Sequence, residues 1–381
     1  MRGQGIDPAE FSREPYTQFQ SWLGESGSVE GCPVNCSYCF FKLDGQTPKR
    51  PDIRMSPEET VRAISDSPTY HADMPVHFGS QTDAFSTPST IAHYKEVLRW
   101  YGDSDYLNPL VFITKRRIPD DFMSIAREVP QQVVFYISYS GLAGTGLEPT
   151  VRTETLRENF IRLKERSLRS VHYWRPFMPQ NSHSDAIAEV FEFVVRYASC
   201  SAVNGLKLND GIQAFVAPYW PQLMAETYDF NETGDFWPTG VRSFVKQYAR
   251  LHHPDYPLFF NTACSLAFVL DKPDMQGAFR GTMCVDSHCP AAQRKSCDGA
   301  FRVPTLEQLH KAAQVVALEP DQVSLEGGRI LVHAKTPAES LVYLRSTLRF
   351  PVVSQGINYH GRNWANNIDA ERAVVEVPWD S

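Results

Sequence analysis

Cys32, Cys36 and Cys39 stand together in the segment GCPVNCSYCFF, with three and then two residues between them. A short loop with that spacing can hold three corners of an iron–sulfur cubane and leave the fourth iron open, and an open iron can chelate a small molecule. A structural zinc site needs four ligands, commonly as paired Cys-x-x-Cys units. The residues that follow, FFKLDGQTPKRPD, supply no fourth Cys or His. Four more cysteines, Cys264, Cys284, Cys289 and Cys297, are spaced by nineteen, four and seven residues, the last three in the loop-like stretch TMCVDSHCPAAQRKSC. Two readings of this second group compete. One is a closed tetrahedral zinc site with His288 as a substitute ligand. The other is an auxiliary cluster whose sulfurs accept hydrogen bonds from loop N–H groups. Cys264 is the remote member, and Cys200, in AIAEVFEFVVRYASC, is expected to be a small buried hydrophobe.

The elements that must position these thiols alternate. Strand candidates are MPVHFGS (74–80), PLVFITK (109–115), QVVFYIS (132–138), SVHYWRPF (170–177) and AVNGLKL (202–208). Between them lie helical stretches such as TIAHYKEVLRWYG and TETLRENFIRLKERS. With a sixth strand just before the cysteine loop, this predicts parallel strands joined by crossover helices in an open, partial (β/α)6 barrel. Reactive groups then collect at the C-terminal ends of the strands. The barrel is placed at residues 1–215 and an aromatic-rich covering layer with the second cysteine group at 216–300. A small α/β appendage takes 301–381: helix TLEQLHKAAQVVA, hairpin QVSLEGGRILVHA, helix PAESLVYLRSTLR and a polar tail around Asn358 to Asn367.

Cys32-x3-Cys36-x2-Cys39, with Tyr38 before the third cysteine and Phe40 after it, resembles the signature of the radical S-adenosylmethionine (SAM) superfamily. The resemblance implies a [4Fe–4S] cluster whose open iron binds SAM and whose electron cleaves the sulfonium to a 5′-deoxyadenosyl radical. A flavodoxin or ferredoxin-type protein would supply that electron. Within the superfamily the chain is similar to the spore photoproduct lyase-like branch over residues 25 to 215. In GSQTDAFS, Thr82 and Asp83 match a pair near the methionine part of SAM. Lys115 of ITKR matches a lysine that reaches the SAM carboxylate, and Ser138 of YISYS a serine near the ribose or carboxylate. LEPTVRTETLRENF and WRPFMP match the branch's Glu-Pro…Arg pattern, which places Arg152 with the cofactor-binding residues. Chemically, a carboxylate needs a cation or hydroxyls, and an ammonium needs acceptors such as Asp83. Ser80 stands where the lyase itself carries a radical-relaying cysteine, which argues against dimer repair. Iron–sulfur assembly, once implied for the first group, favours an auxiliary [4Fe–4S] cluster on Cys264, Cys284, Cys289 and Cys297 over zinc.

The chain has 381 residues, 42% hydrophobic and 21% charged, enough for a well-buried core. Its formal net charge of −7 argues against nucleic acid as the main partner, which would need a basic groove built from Arg116, Arg117, Arg166 and Arg169. No apolar run is long enough to span a bilayer and no signal pattern opens the chain, so a cytoplasmic protein is expected. His77, Gln81, Trp174, Arg175, Lys207, Asn209 and Asp210 fall near the expected mouth, a polar set suited to a nucleoside-, sugar- or amino-acid-derived substrate. The sequence thus points to a small-molecule tailoring enzyme: oxidation, rearrangement or sulfur insertion. A nucleic-acid enzyme and a non-catalytic two-cluster electron carrier are the alternatives.

Overall fold

In a computed structural model of the chain, the described residues are 23–24, 27–42, 49–66, 70–207, 210–221, 228–230, 236–274, 287–334, 336, 338–350 and 352–354. In chain order they form β1 (Leu23–Gly24), β2 (Val29–Glu30), β3 (Asp52–Ile53), α1 (Pro57–Ser65), β4 (Val76–Phe78), α2 (Pro88–Gly102), β5 (Leu110–Thr114) and α3 (Asp120–Glu128). Next come β6 (Val133–Ser138), α4 (Thr153–Glu165), β7 (Arg169–Trp174), α5 (Ser184–Tyr197) and β8 (Cys200–Val203). They are followed by α6 (Asp210–Val216), β9 (Tyr228–Phe230), β10 (Phe236–Pro238), α7 (Val241–His252), β11 (Leu258–Phe259), α8 (Thr262–Val269) and α9 (Ala291–Ala300).

Seven strands pair in the order β1-β4-β5-β6-β7-β8-β11, every pair parallel. From β4 to β8 each strand lies beside the next sheet strand in the chain, and right-handed crossovers send the connecting helices α2, α3, α4 and α5 to one side. The sheet is therefore singly wound, and with β1 and β11 at its two edges it is an incomplete barrel. Strand periodicity divides its residues cleanly. Val76, Phe78, Leu110, Phe112, Phe135, Ile137 and Trp174 join the large core under the helices. Val111, Val134, Tyr136, Val171, Tyr173, Cys200, Ala202 and Phe259 face the other way and pack with Leu266, Val269 and Leu270 of α8 and its end. The Tyr136 hydroxyl meets Ser265 Oγ at 3.0 Å and Arg169 Nε donates to the Val269 carbonyl at 2.7 Å, so α8 lies on the concave face.

Several expectations change. The sheet has a seventh strand, β11, too short to show an apolar period. The strand expected at 202–208 runs instead over Cys200–Val203, because Leu206 leaves the sheet to bridge Phe236 through N–H···O bonds of 2.8 and 2.9 Å. Gly205 permits that approach: a Cβ there would stand 2.4 Å from the Phe236 carbonyl oxygen. Cys200 is fully buried, on a strand rather than at the end of a helix. The second cysteine group is not a loop throughout: Cys264 lies in α8 and Cys297 in α9, while Cys284 lies outside the described residues. The covering layer is partly regular, with β9 and β10 antiparallel and Trp220 and Trp237 fully buried.

In the appendage, α10 (Leu306–Val315) and α11 (Ala338–Leu348) pack on a three-stranded sheet, β12 (Val323–Glu326), β13 (Arg329–Val332) and β14 (Val352–Ser354). Gly327 and Gly328 both take positive φ, 54° and 72°, as a tight hairpin turn requires. The third strand, β14, was not expected from the sequence. The tail around Asn358 to Asn367 lies outside the described residues. No helix among the described residues is long and apolar enough to cross a membrane.

Two histidines inside the barrel wall give the fold a pH dependence. His172 Nε2 faces the Tyr139 carbonyl oxygen at 2.8 Å and so must carry the proton; Nδ1 then accepts from Ser201 Oγ at 2.8 Å. Burial pushes the pKa of His172, and of His77, from 6.5 down to about 3. The unfolded chain binds these protons near pH 6.5 and the folded chain does not. Stability is therefore complete above that pH and falls as pH drops toward 3, by up to about 1.4 kcal/mol per pH unit for each histidine. Urea unfolding at pH 7 and pH 5 should show a smaller loss for His172→Asn than for the wild type; equal losses would contradict this.

Candidate functional site

The cysteine loop is tied down by residues that follow β6. Ser37 N–H donates to the Leu147 carbonyl and Ser37 Oγ to the Gly146 carbonyl, both at 2.9 Å. Thr150 Oγ1 donates to the Val34 carbonyl at 2.8 Å, and the Arg116 guanidinium holds Thr150 through its carbonyl at 2.6 Å and its hydroxyl at 2.8 Å. The Tyr38 hydroxyl donates to Glu148 Oε1. The same oxygen accepts from Lys115 Nζ at 2.9 Å and from Ser140 Oγ at 2.7 Å. Glu148 is fully buried and Lys115 nearly so, which makes this an interior ion pair at the C-terminal ends of β5 and β6. Lys115 Nζ also donates to the Ser138 carbonyl at 3.2 Å and lies 5.7 Å from the Tyr38 ring centroid.

Asp83 sits on the turn after β4. Its carboxylate accepts from Thr114 Oγ1 at 2.8 Å, Lys115 N–H at 2.8 Å and Phe85 N–H at 3.0 Å, which fastens the ends of β4 and β5 together. The helix cap nearby is Thr87, not Asp83. Burial raises the Asp83 pKa and these hydrogen bonds oppose it. Thr82 Oγ1 and Ser80 Oγ, on the same turn, are buried with no hydrogen-bond partner among the described residues.

The three thiols share this interior. Burial pushes Cys32 up to about 12, with Asp83 adding to the shift and Arg116 opposing it. Cys36 is raised by burial, with Lys115 opposing and Glu148 adding. Cys39 is raised by burial against the pull of Arg175, Lys42 and Lys115. Thiolate ligands need neighbouring positive charge in a site this dry. Lys42, Lys115, Arg116 and Arg175 provide it, and the unpartnered oxygens of Ser80 and Thr82 fit a polar ligand. The donor set therefore suits a thiolate-bound cluster beside a polar cosubstrate.

Of the residues singled out from the sequence, Cys32, Cys36, Cys39, Tyr38, Asp83, Lys115 and Ser138 come together here, with Thr82 on the adjoining turn. Arg152 does not: it is exposed at the start of α4. Trp174 is also away from the mouth, because its strand position turns it outward onto Phe177 and Phe191. Arg175 donates to the Tyr173 hydroxyl at 2.8 Å. Gln81 accepts from Gly27 N–H at 3.3 Å, Lys207 is half-buried after β8, and Asn209 lies outside the described residues. The arginines of the supposed basic groove are dispersed: Arg117 pairs with Glu158, Arg166 with Asp120, and Arg169 opens β7 at its opposite end. The sequence reading gave no role to Glu148, Ser140, Thr114 or Thr150. Only the Glu-Pro dipeptide at 148–149 hinted at one of them.

In the second group, Cys264 Sγ accepts from Asn261 Nδ2 at 3.2 Å. Cys297 Sγ accepts from Asp274 N–H at 3.3 Å and Gln293 Nε2 at 3.5 Å, the kind of contact a thiolate ligand receives. Cys289 follows a bridge in which His288 N–H donates to the Leu258 carbonyl at 2.7 Å on the edge strand. Cys264 and Cys289 both border the concave-face core. Among the described residues, no three His, Cys, Asp or Glu side chains converge on a single metal-ion position.

No protein-family model matches the chain, and no curated protein matches it. Among solved structures it is similar to a spore photoproduct lyase complexed with dinucleoside spore photoproduct: 13% identity, TM-score 0.49, covering 68% of this chain and 86% of that one. It is also similar to TsrM, a radical SAM methyltransferase from Kitasatospora setae bound to tryptophan and a SAM analogue: 17% identity, TM-score 0.37, covering 53% of this chain and 38% of that one. A third is a radical SAM methyltransferase from Sphaerobacter thermophilus: 13% identity, TM-score 0.39, covering 54% and 66%.

The clamp on the cysteine loop is testable at Thr150. Thr150→Val removes the link from Arg116 to the Val34 carbonyl at nearly constant volume, and should cost about 0.5–1.5 kcal/mol, the net worth of one such hydrogen bond. Urea denaturation reads the loss; an unchanged midpoint would show that Thr150 does not hold the loop.

Proposed function

We propose that the chain is a radical SAM enzyme that abstracts a hydrogen atom from a small-molecule substrate in a tailoring reaction such as oxidation, rearrangement or sulfur insertion. The observation that carries this reading is the three-cysteine loop, laid over the C-terminal strand ends and fastened there by Glu148, Thr150 and Lys115. Cys32, Cys36 and Cys39 would hold a [4Fe–4S] cluster, which when bound supplies the electron that splits S-adenosylmethionine into methionine and a 5′-deoxyadenosyl radical. The chain's own part is to offset charge, orient and exclude water. Lys42, Lys115, Arg116 and Arg175 counter the thiolates. Asp83 and Glu148 fix the strand ends and the loop. Leu142, Leu147, Trp220 and Phe236 form an apolar layer against Tyr38, which keeps solvent from the mouth. A single orienting fault of about 1 Å would cost much of the rate, so rigidity here is part of the chemistry.

The second group, Cys264, Cys284, Cys289 and Cys297, is assigned in this reading to an auxiliary [4Fe–4S] cluster, supported by the N–H···S contacts at Cys297. A flavodoxin or ferredoxin-type donor would reduce the enzyme, and a cytoplasmic location suits that supply. The nucleic-acid alternative is disfavoured by the arginines noted above, which are neutralised by carboxylates or spent on backbone carbonyls.

Anaerobic assay of the reduced protein with SAM tests the reading. Wild type should release 5′-deoxyadenosine and methionine, Cys36→Ala should release none, and Cys289→Ala should lose part of its iron while still cleaving SAM. Turnover by Cys36→Ala at the parental rate would overturn the enzyme assignment, and full iron in Cys289→Ala the auxiliary cluster.

A further inference from the structure

A cavity of about 320 Å³ lies between the end of α7, the residues that lead into β11 and the start of α9. Because β11 runs parallel to β8, its lead-in stands at the N-terminal end of the sheet, opposite the end that carries Asp83 and Lys115. The lining carries Arg250, Arg294, His288 and Asp255, beside Cys289. On a chain of net charge −7 this is a local gathering of cations. Arg117, Arg162 and Arg166 all pair with carboxylates, but among the described residues neither Arg250 nor Arg294 does, although Asp255 shares the cavity. His288 Nδ1 is buried and has no hydrogen-bond partner among the described residues. Burial holds the His288 pKa below its ordinary value, with Arg250 and Arg294 adding to the shift and the Pro254 backbone and Asp255 opposing it, so both guanidiniums act on this ring.

Helix α9 adds to the positive field. It starts at Pro290 with no capping side chain and no acidic residue in its first turn, which leaves its first N–H groups to an outside acceptor. Arg294 follows one turn in, on the positive half of the helix dipole, where a cation is unfavourable without an anion to balance it. We propose that the cavity binds a phosphate-type anion, a phosphomonoester or diphosphate group, held by Arg250, Arg294, His288 Nδ1 and the first N–H groups of α9. Several separate donors suit the three terminal oxygens of a phosphate, and the arginine fork matches them in pairs. A neutral imidazole can carry its proton on either nitrogen, so His288 joins as a donor without changing charge. An anion there ties the end of α7 to the start of α9 and braces the segment that carries Cys289. The site is separate from the cysteine loop and does not depend on the radical SAM reading.

The test is titration calorimetry of the full chain with inorganic phosphate and with pyrophosphate, before and after anaerobic reconstitution with iron and sulfide. Saturable binding at one site per chain is expected in both forms. Arg250→Gln and Arg294→Gln should each weaken it about tenfold, one charge-assisted contact discounted for solvent. Arg127→Gln, at an exposed arginine of α3, should leave it unchanged. Positions 250 and 294 are exposed, so the fold tolerates both substitutions, and a phosphate-dependent rise in melting temperature that they abolish reads the same site independently. Absence of saturable binding to wild type, or equal weakening by Arg127→Gln, overturns the proposal. Binding that vanishes on reconstitution overturns it too, because the arginines then serve cluster thiolates at Cys289. So does binding of single-stranded DNA or poly-glutamate in preference to pyrophosphate, which would make this face a docking surface for an acidic macromolecule.

Discussion

The buried pair between Lys115 and Glu148 is the contact on which the arrangement of the site depends. Lys115 comes from the end of β5, Glu148 from the segment after β6, and Tyr38 from the cysteine loop; all three meet at one carboxylate oxygen. Two separate strand ends and a loop whose Tyr38 lies 110 residues before Glu148 in sequence are thereby fixed together. Removing one partner of such a pair leaves an uncompensated interior charge, which costs about 3–5 kcal/mol. The neighbouring bonds from Ser37, Thr150 and Arg116 spread the same attachment along the loop. Cys36 consequently stands in the core, with Cys32 and Cys39 partly buried against it.

The barrel geometry explains why the chemistry collects at one end. Singly wound parallel strands bring the turns after β4, β5 and β6 side by side, so Asp83, Lys115 and the 142–150 segment are neighbours although far apart in the chain. Helix α8 covers much of the concave face of β6, β7 and β8. Polar residues at the strand ends remain for ligand contact, while the strands below them are filled with apolar packing. The appendage has its own core, built from Leu309, Ile330, Val332, Leu344 and Phe350.

Much of this was legible in the sequence because it is local. Cysteine spacing, the alternation of β5, α3, β6, α4 and β7, and the Glu-Gly-Gly hairpin each declare themselves within a few residues. What was not legible depended on distant partners. β11 is two residues long and is defined by pairing with β8, which no periodicity reveals. Cys200 was read with the helix before it because the mostly apolar stretch 190–200 carries no turn residue such as Gly or Pro, and the strand start is set by its neighbour β7. Arg152 and Trp174 were expected at the mouth from their place in a motif, but a helix start and an outward strand register carry them away. Glu148 was hidden for the opposite reason: an acidic residue in a polar stretch looks solvated until the donors from 38, 115 and 140 are seen around it.

The central claim is that the loop bearing Cys32, Cys36 and Cys39 holds a cluster to which S-adenosylmethionine binds. Electron paramagnetic resonance of the reduced, anaerobically reconstituted protein addresses it most directly. The account predicts a [4Fe–4S]⁺ signal whose g-values shift when SAM is added, and loss of that responsive signal in the Cys32/Cys36/Cys39 triple-alanine variant. A spectrum that SAM leaves unchanged, or a responsive signal that survives the triple substitution, would contradict it.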